Sequence, residues 1–280
     1  MPDLIVPQTT VLIITLNEAP NLARCLDRLD WARRILVIDS GSTDQTLQIA
    51  HRYNNVEVVH RPFDSFADQC NFGLTLIETP WALSLDADYE LSSTLVSEIN
   101  SLRESSIQGY SAPFIYRIHG RVLRGSLYPP RTVLYRVRAA RYRNEGHGHR
   151  VGVDGPIARL SAPIYHDDRK PLQTWMDSQK RYANAEADHL LAADPSTLSA
   201  VDRLRLLAWP APLLVFLYTL VIKRGLLDGW AGWYYTLQRT IAEALLAVNL
   251  IDRRLAPKSF SPDHAARDAP TPGSALDNET

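Results

Sequence analysis

Beginning at Thr10, short runs of β-branched and aliphatic residues alternate with stretches whose apolar positions recur at helical spacing. Residues 11–16 form an unbroken apolar run of strand length, and 17–20 read as a loop. Leu22, Leu26 and Leu29 then mark one face of a helix over 21–29. The same alternation predicts strands at 35–38, 56–60 and 81–85, with helices at 44–53 and 66–77. Thr43 or Asp44 supplies a capping side chain for the first of those helices. Strands separated by helices require crossover connections, hence a mainly parallel sheet covered on both faces. Ligands of such sheets lie at the carboxyl ends of the strands. Asn17, Asp39 and Asp86 each stand just past such an end. The pattern alone therefore locates a candidate site.

Beyond Asp88 the rhythm changes. Residues 92–104 predict a helix, 110–118 and 132–138 predict strands, and the glycine-rich 146–155 predicts a long loop. A charged helix follows over 172–191, then the most apolar helices of the chain over 198–250. The chain thus divides into an N-terminal tail (1–9), an α/β domain (10–168), a helical C-terminal extension (169–255) and a Pro- and Ser-rich tail (256–280) expected to be disordered. The longest uncharged stretch, 206–222, holds 17 residues between Arg205 and Lys223. As a helix it would reach roughly 25 Å, short of the ~30 Å hydrocarbon core, and Pro210 and Pro212 interrupt it. Trp209, Phe216, Tyr218, Trp230, Trp233, Tyr234 and Tyr235 gather around it, with Arg203, Arg205, Lys223 and Arg224 at hand for anionic lipid. Such a composition suits helices lying in a membrane interface. A helical subdomain packed on the sheet, or a dimer contact, is the alternative.

Charge adds a second signal. The 280 residues carry 30 basic and 31 acidic side chains, for a formal net charge of −1, and 45% are hydrophobic. That composition fits a globular chain and excludes collagen-like, coiled-coil and wholly disordered ones. The charges are unevenly placed: residues 1–116 hold 15 acids and 7 bases, whereas 117–150 hold nine Arg and only Glu145 as an acid. An acidic stretch that holds a cation, followed by a basic one that faces anions, gives this asymmetry, and solvated strand faces account for part of it. No nucleic-acid-binding motif accompanies the basic stretch, so nucleic acid is not expected as a partner. Cys25 and Cys70 are too few for a disulfide framework and are not spaced as metal ligands. The opening residues lack the cationic and apolar runs of a secretory signal.

Asp86-Ala87-Asp88 is the most informative tripeptide. Two carboxylates one residue apart at a strand end can jointly hold a hard divalent cation, Mg²⁺ or Mn²⁺, that bridges to a diphosphate. A solvated acidic turn is the plain alternative. Asp39, followed by Ser-Gly-Ser-Thr-Asp, suits a loop that hydrogen-bonds a nucleobase or ribose and turns sharply at Gly41.

Three motifs in order, Thr15-Leu16-Asn17-Glu18, Val37 to Thr46 and Leu85-Asp86-Ala87-Asp88, resemble the inverting glycosyltransferase family 2. The resemblance implies a GT-A fold, a Rossmann-like nucleotide-diphospho-sugar transferase, with a helical, membrane-facing C-terminal extension. It also implies an NDP-sugar donor bound by Thr15, Asn17, Glu18, Asp39, Gly41, Ser42 and Asp86, with Gln69 and Asn71 beside the nucleotide. Asp86 and Asp88 would hold the metal, joined by His166. Tyr165-His166 and the later Gly225-Leu226-Leu227-Asp228-Gly229-Trp230-Ala231-Gly232 look like the branch that extends lipopolysaccharide inner core. That likeness implies a glycolipid or lipid-linked acceptor at the cytoplasmic face of the inner membrane.

Inverting transfer needs a base for the acceptor hydroxyl. The candidates are His147, His149, Asp154, Asp167 and Asp168, among which the sequence does not choose. Rival readings are transfer to polyprenyl phosphate or a soluble acceptor, a nucleotidyltransferase, and a non-catalytic sugar-nucleotide-binding protein. The Gly-rich phosphate loop expected of a nucleotidyltransferase is missing after Leu16.

Overall fold

The computed structural model describes residues 3–145 and 148–255, so the expected tail over 256–280 lies outside the described residues. The first half runs β1 (Thr9–Thr15), α1 (Leu22–Leu26), β2 (Ile35–Asp39), α2 (Thr46–Ala50), β3 (Val56–His60), α3 (Phe66–Thr75), β4 (Trp81–Asp86), β5 (Tyr89–Leu91) and α4 (Ser93–Ser101). Short strands follow: β6 (Gly109–Ala112), β7 (Phe114–Ile118), β8 (Arg121–Val122), β9 (Arg131–Arg136), β10 (Ala140–Glu145), β11 (Gly148–Val153), β12 (Ile157–Arg159) and β13 (Ile164–His166). Helices α5 (Leu172–Ala192), α6 (Ala200–Leu206), α7 (Pro210–Leu217) and α8 (Trp230–Leu255) close the described chain.

Seven strands form the central sheet in the order β12-β6-β9-β4-β1-β2-β3, and β9 alone runs against its neighbours. The expected α/β architecture with C-terminal helices is therefore present. The apolar runs are continuous because alternate residues feed two cores. Val11, Ile13, Ile35 and Val37 join one cluster, while Leu12, Leu36 and Ile38 join the other, with Ala67, Cys70 and Leu74 of α3. Register places Thr15 beside Asp39, and Ile14 beside Asp86, so the three expected strand ends share one edge.

Two sequence expectations fail locally. The strand over 110–118 is cut at Pro113, which lacks the N–H a ladder needs, and β6 and β7 lie in different sheets. The loop expected over 146–155 is largely strand: β11 pairs with β10 because Val151 and Val153 pack with Tyr142 on the α3 side of the sheet.

The C-terminal helices form their own cluster. Ala183, Ala187 and Leu190 of α5 pack with Leu246 and Leu250 of α8. Arg205 of α6 pairs with Glu243 at 2.6 Å and Glu186 at 3.4 Å across three helices. Pro210 starts α7 rather than breaking it, at a position where its missing N–H has no partner to lose. Where the chain passes from Gly225 to α8, the Gly232 Cα lies against the Gly225 backbone, and a Cβ at 232 would stand 1.9 Å from the Gly225 carbonyl oxygen. Asp228, between them, accepts the Arg124 N–H at 3.0 Å, and the Tyr235 hydroxyl accepts the Leu127 N–H at 2.9 Å. The Gly225-to-Gly232 motif thus fastens the helices to the loop that carries 124–128. Among the described residues, no helix is long and apolar enough to cross a membrane.

Candidate active site

Asp39 ends β2 with 1% exposure and a fully engaged carboxylate. Its Oδ1 accepts the hydroxyls of Thr15 (2.9 Å) and Ser42 (2.6 Å), and its Oδ2 accepts the Gly41 and Ser42 N–H groups, both at 2.9 Å. Burial pushes this carboxyl up, but the Ser42, Gly41 and Thr15 donors outweigh it and hold it below the usual range. Gly41 has φ +98°, a conformation that side chains rarely adopt, which lets the chain fold back over the carboxylate. Asn17, at φ +55°, fixes the facing loop: its N–H donates to the Ser42 hydroxyl, and its Oδ1 accepts from the Thr43 and Asp44 N–H groups. Asp44 caps α2 from one residue further out than a standard cap, accepting the Thr46 N–H at 2.9 Å.

One strand along, Asp86 ends β4, and no described group donates to its carboxylate. Asp88 lies two residues on, its Oδ2 3.0 Å from His166 Nε2 and its Oδ1 buried without a partner. Burial raises the Asp88 carboxyl, but His166 and Lys170 overcome this and hold it at about 2. For His166 burial works against the charged ring, and Asp88 beside it raises the pKa on balance. The His166 ring is enclosed by Tyr116, Tyr128 and Tyr89, with centroids at 4.6, 4.7 and 5.4 Å. The Arg131 guanidinium lies 4.8 Å from the centre of the Tyr128 ring.

A third group joins the segment after β13 to α1. Asp167, fully buried, accepts from Arg169 (2.7 Å), Arg24 (3.2 Å) and the Gly120 N–H (3.0 Å) through Oδ2. Glu18 bonds Lys170 at 2.5 Å and Asn21 at 2.9 Å, and Asn21 reaches Asp168 at 2.8 Å. Burial pushes the Glu18 carboxyl up to about 7 despite Lys170. Lys170 itself is held above the ordinary lysine value, Glu18 and Asp168 overcoming the burial that opposes its charge.

An α/β sheet with paired carboxylates at its carboxyl edge admits several nucleotide chemistries, and sequence likeness decides between them. The pattern of Glycosyl transferase family 2 matches residues 10–152. The chain belongs to that family. A glycosyltransferase of Rickettsia bellii is 35% identical over 109 residues, 39% of this chain and 37% of that one. The lipopolysaccharide core biosynthesis glycosyltransferase LpsC of Rhizobium meliloti is 32% identical over 90 residues, 31% of this chain and 33% of its own. The chain therefore matches only about a third of the length of these two relatives. The mannosyltransferase PcManGT from Pyrobaculum calidifontis, solved with GDP-Man and Mn²⁺, superposes with a TM-score of 0.50 at 17% identity, over 88% of each chain. That likeness establishes the fold.

Within this family 2 chain, the residues expected to line the nucleotide mostly hold one another. Thr15, Asn17, Glu18, Asp39 and Ser42 meet in the networks above, with Gly41 as their turn. Gln69 is fully buried and gives its amide to Ser40, Arg61 and Pro62, while its Oε1 accepts from Arg61. Asn71 is occupied at both ends by the Tyr142 main chain, clamping α3 to β10. The amide groups of both are engaged by the protein itself. Asp86, Asp88 and His166 do not gather as three ligands: among the described residues no group of three or more His, Cys, Asp or Glu side chains is arranged to hold a metal, and His166 turns its Nε2 to Asp88.

The base candidates separate. Asp154 is at the wrong end of the sheet: its N–H bonds Ala139 O, two residues past Val137, which bonds Pro80 at the amino end of β4. Asp167 is sealed between two guanidiniums and out of reach of an acceptor. Asp168 is engaged with Asn21 and the Lys170 N–H. His147 lies outside the described residues, as does the side chain of His149, whose backbone pairs with Asn144. The described part of β10 runs along α3 from Tyr142 at Asn71 to Asn144 at Ser65, the end of α3 that follows β3. Sequence reasoning missed Lys170, the tyrosine cage and Arg131. Only Arg131 left a trace, as one member of the Arg-rich run.

Proposed function

We propose that this chain is an inverting glycosyltransferase that moves a sugar from a nucleotide-diphosphate sugar to a lipid-linked or lipopolysaccharide-type acceptor, working at the cytoplasmic face of the inner membrane. The observation that carries the reading is the corner at Asp86 and Asp88, where a family 2 member presents one unengaged carboxylate and one buried, unpartnered carboxylate oxygen at a strand end. Carboxylate oxygens without a donor fit a hard divalent cation, Mg²⁺ or Mn²⁺, with Asp86 and Asp88 as its protein ligands. When bound, the cation neutralises charge on the departing diphosphate. His166 orients Asp88 through their hydrogen bond, the usual task of a group behind a ligand. With Asp154 at the far end of the sheet and Asp167 and Asp168 engaged by other side chains, His147 and His149 are left as the candidates for the base.

Support for the acceptor comes from the name of the Rhizobium relative and from the C-terminal helices. Trp209 is 76% exposed and Ile222 66%, and Leu213, Val221, Leu227 and Trp230 are exposed beside them. Lys223 lies 5.7 Å from the Tyr218 ring and Arg121 6.0 Å from that of Trp230. Aromatic and aliphatic side chains edged by cations suit the headgroup region of a membrane.

The test is a panel of UDP-, GDP- and dTDP-sugars with Mg²⁺ or Mn²⁺ and membrane extract as acceptor. Release of nucleoside diphosphate, with the product anomer inverted by NMR, is expected. Formation of nucleoside triphosphate and sugar 1-phosphate from the NDP-sugar when pyrophosphate is added would make the protein a nucleotidyltransferase, and binding without turnover would make it a sensor. Membrane association is read separately: Leu213, Val221 and Ile222 changed to Ser abolish flotation with vesicles at unchanged thermal stability. Leu220, being buried, is left intact.

A further inference from the structure

The geometry points to Arg131 as a phosphate-gripping residue at this site, a role that rests on the nucleotide-sugar reading and extends it to a residue no motif marks. Every other cation named at the carboxyl edge already has a carboxylate. Arg24 and Arg169 meet Asp167, Arg117 meets Glu90, Lys170 meets Glu18, and His166 meets Asp88. The Arg131 side chain makes no hydrogen bond or ion pair among the described residues, although Asp86 and Asp88 are near enough to act on its charge.

Its position is fixed all the same. It opens β9, and because β9 runs antiparallel beside β4, its first residue stands at the sheet end where Asp86 closes β4. The guanidinium lies over Tyr128, whose hydroxyl is hydrogen-bonded to that of Tyr89, and the same Tyr128 ring has His166 4.7 Å away. Arg131 and the Asp88–His166 pair are thus separated by one aromatic ring. Stacking occupies the face of a guanidinium and leaves its edge N–H groups free, and those are the donors that meet phosphate oxygens in pairs. Burial opposes the charge on Arg131, but Tyr89, Tyr128, Asp86 and Asp88 more than restore it. A protonated fork without a protein acceptor, next to carboxylates suited to a cation, is what a metal-bridged diphosphate requires on its second side.

Phosphate can reach this cleft on the donor or on a phosphate-linked acceptor. The full-length protein and its Arg131→Gln variant are titrated calorimetrically with UDP, GDP and dTDP, each paired with its nucleoside, and with phosphatidylcholine vesicles carrying a polyprenyl phosphate. The expected result is a roughly ten- to hundredfold loss of diphosphate affinity with nucleoside affinity unchanged. Arg131→Lys, which keeps charge but not the fork, should recover only part of that loss. Unchanged diphosphate affinity with lost binding to polyprenyl phosphate keeps the grip and moves it to the acceptor. Unchanged affinity for both, in a variant with the wild-type melting temperature, overturns the assignment. If Arg131→Gln does not fold, full diphosphate affinity in Arg131→Lys overturns it equally. A wild-type protein that binds no nucleotide fails the nucleotide-sugar reading itself, and the inference falls with it.

Discussion

Asp39 and Asp86 end neighbouring parts of the same sheet edge, yet they are opposite kinds of carboxylate. Asp39 is buried and accepts four hydrogen bonds, and Asp167 across the cleft is buried between two guanidiniums. The Asp86 carboxylate accepts from no described residue, only its main-chain carbonyl taking the Cys25 thiol. A carboxylate that takes several donors from its own protein builds the walls of a site, because removing it strands those donors at once. One left open serves a ligand. Family motifs contain both kinds and do not tell them apart.

Substitution should separate them in order of effect on stability. Asp167→Ala leaves Arg24 and Arg169 without their shared partner and should cost about 3–5 kcal/mol in denaturant unfolding. A loss under about 1 kcal/mol would show that solvent reaches those guanidiniums and would weaken the comparison. Asp39→Asn puts an amide donor where two hydroxyls or two N–H groups already donate. About 3 kcal/mol of lost stability is expected, and any fall in nucleotide affinity should then track loop order and not a lost ligand contact.

Asp88 lies between the extremes, and pH exposes it. Its folded pKa of about 2 lies below the ~3.9 of an unfolded aspartate. The unfolded state therefore binds more protons in that interval, so the contribution is complete above about pH 4 and is lost as pH falls toward 2. Asp88→Asn should flatten the stability profile between pH 4 and 2. A variant with the wild-type acid limb would remove Asp88 from the pair with His166. Asp86→Asn is the smallest change for the fold, within about 0.5 kcal/mol, and should nevertheless abolish metal-dependent turnover. Wild-type activity in that variant would place the open carboxylate outside the chemistry.

A second contrast, between the sheet and the C-terminal helices, concerns what covers apolar side chains. Leu12 and Ile13 are buried, one on each face of the sheet, whereas Leu213 and Ile222 are more than half exposed in the described chain. The sequence reads much the same in both places, as runs of aliphatic residues. Burial on two faces follows from strand pairing with helices above and below. Which side of α7 meets α8 depends on the crossing at Gly225 and Gly232.

The sequence by itself determined the order of strands and helices through Asp86 and the helix after it, though not the short β5 between them, together with the strand ends where Asn17, Asp39 and Asp86 stand, and the family. Those are local matters: apolar period, turn residues and motifs hold within a few neighbours. Only the tertiary structure decided the rest. It broke 110–118 between two sheets at Pro113 and made a strand of residues 148–153. It also moved Asp154 to the far edge, buried Asp167, and tied the amides of Gln69 and Asn71 into hydrogen bonds with Arg61 and Tyr142. Most of all it set Arg131 apart from the other arginines of its run. Whether a charged group is engaged or free depends on partners more than a hundred residues away, as Asp167 with Arg24 and Lys170 with Glu18 show, and no local pattern encodes such a pairing.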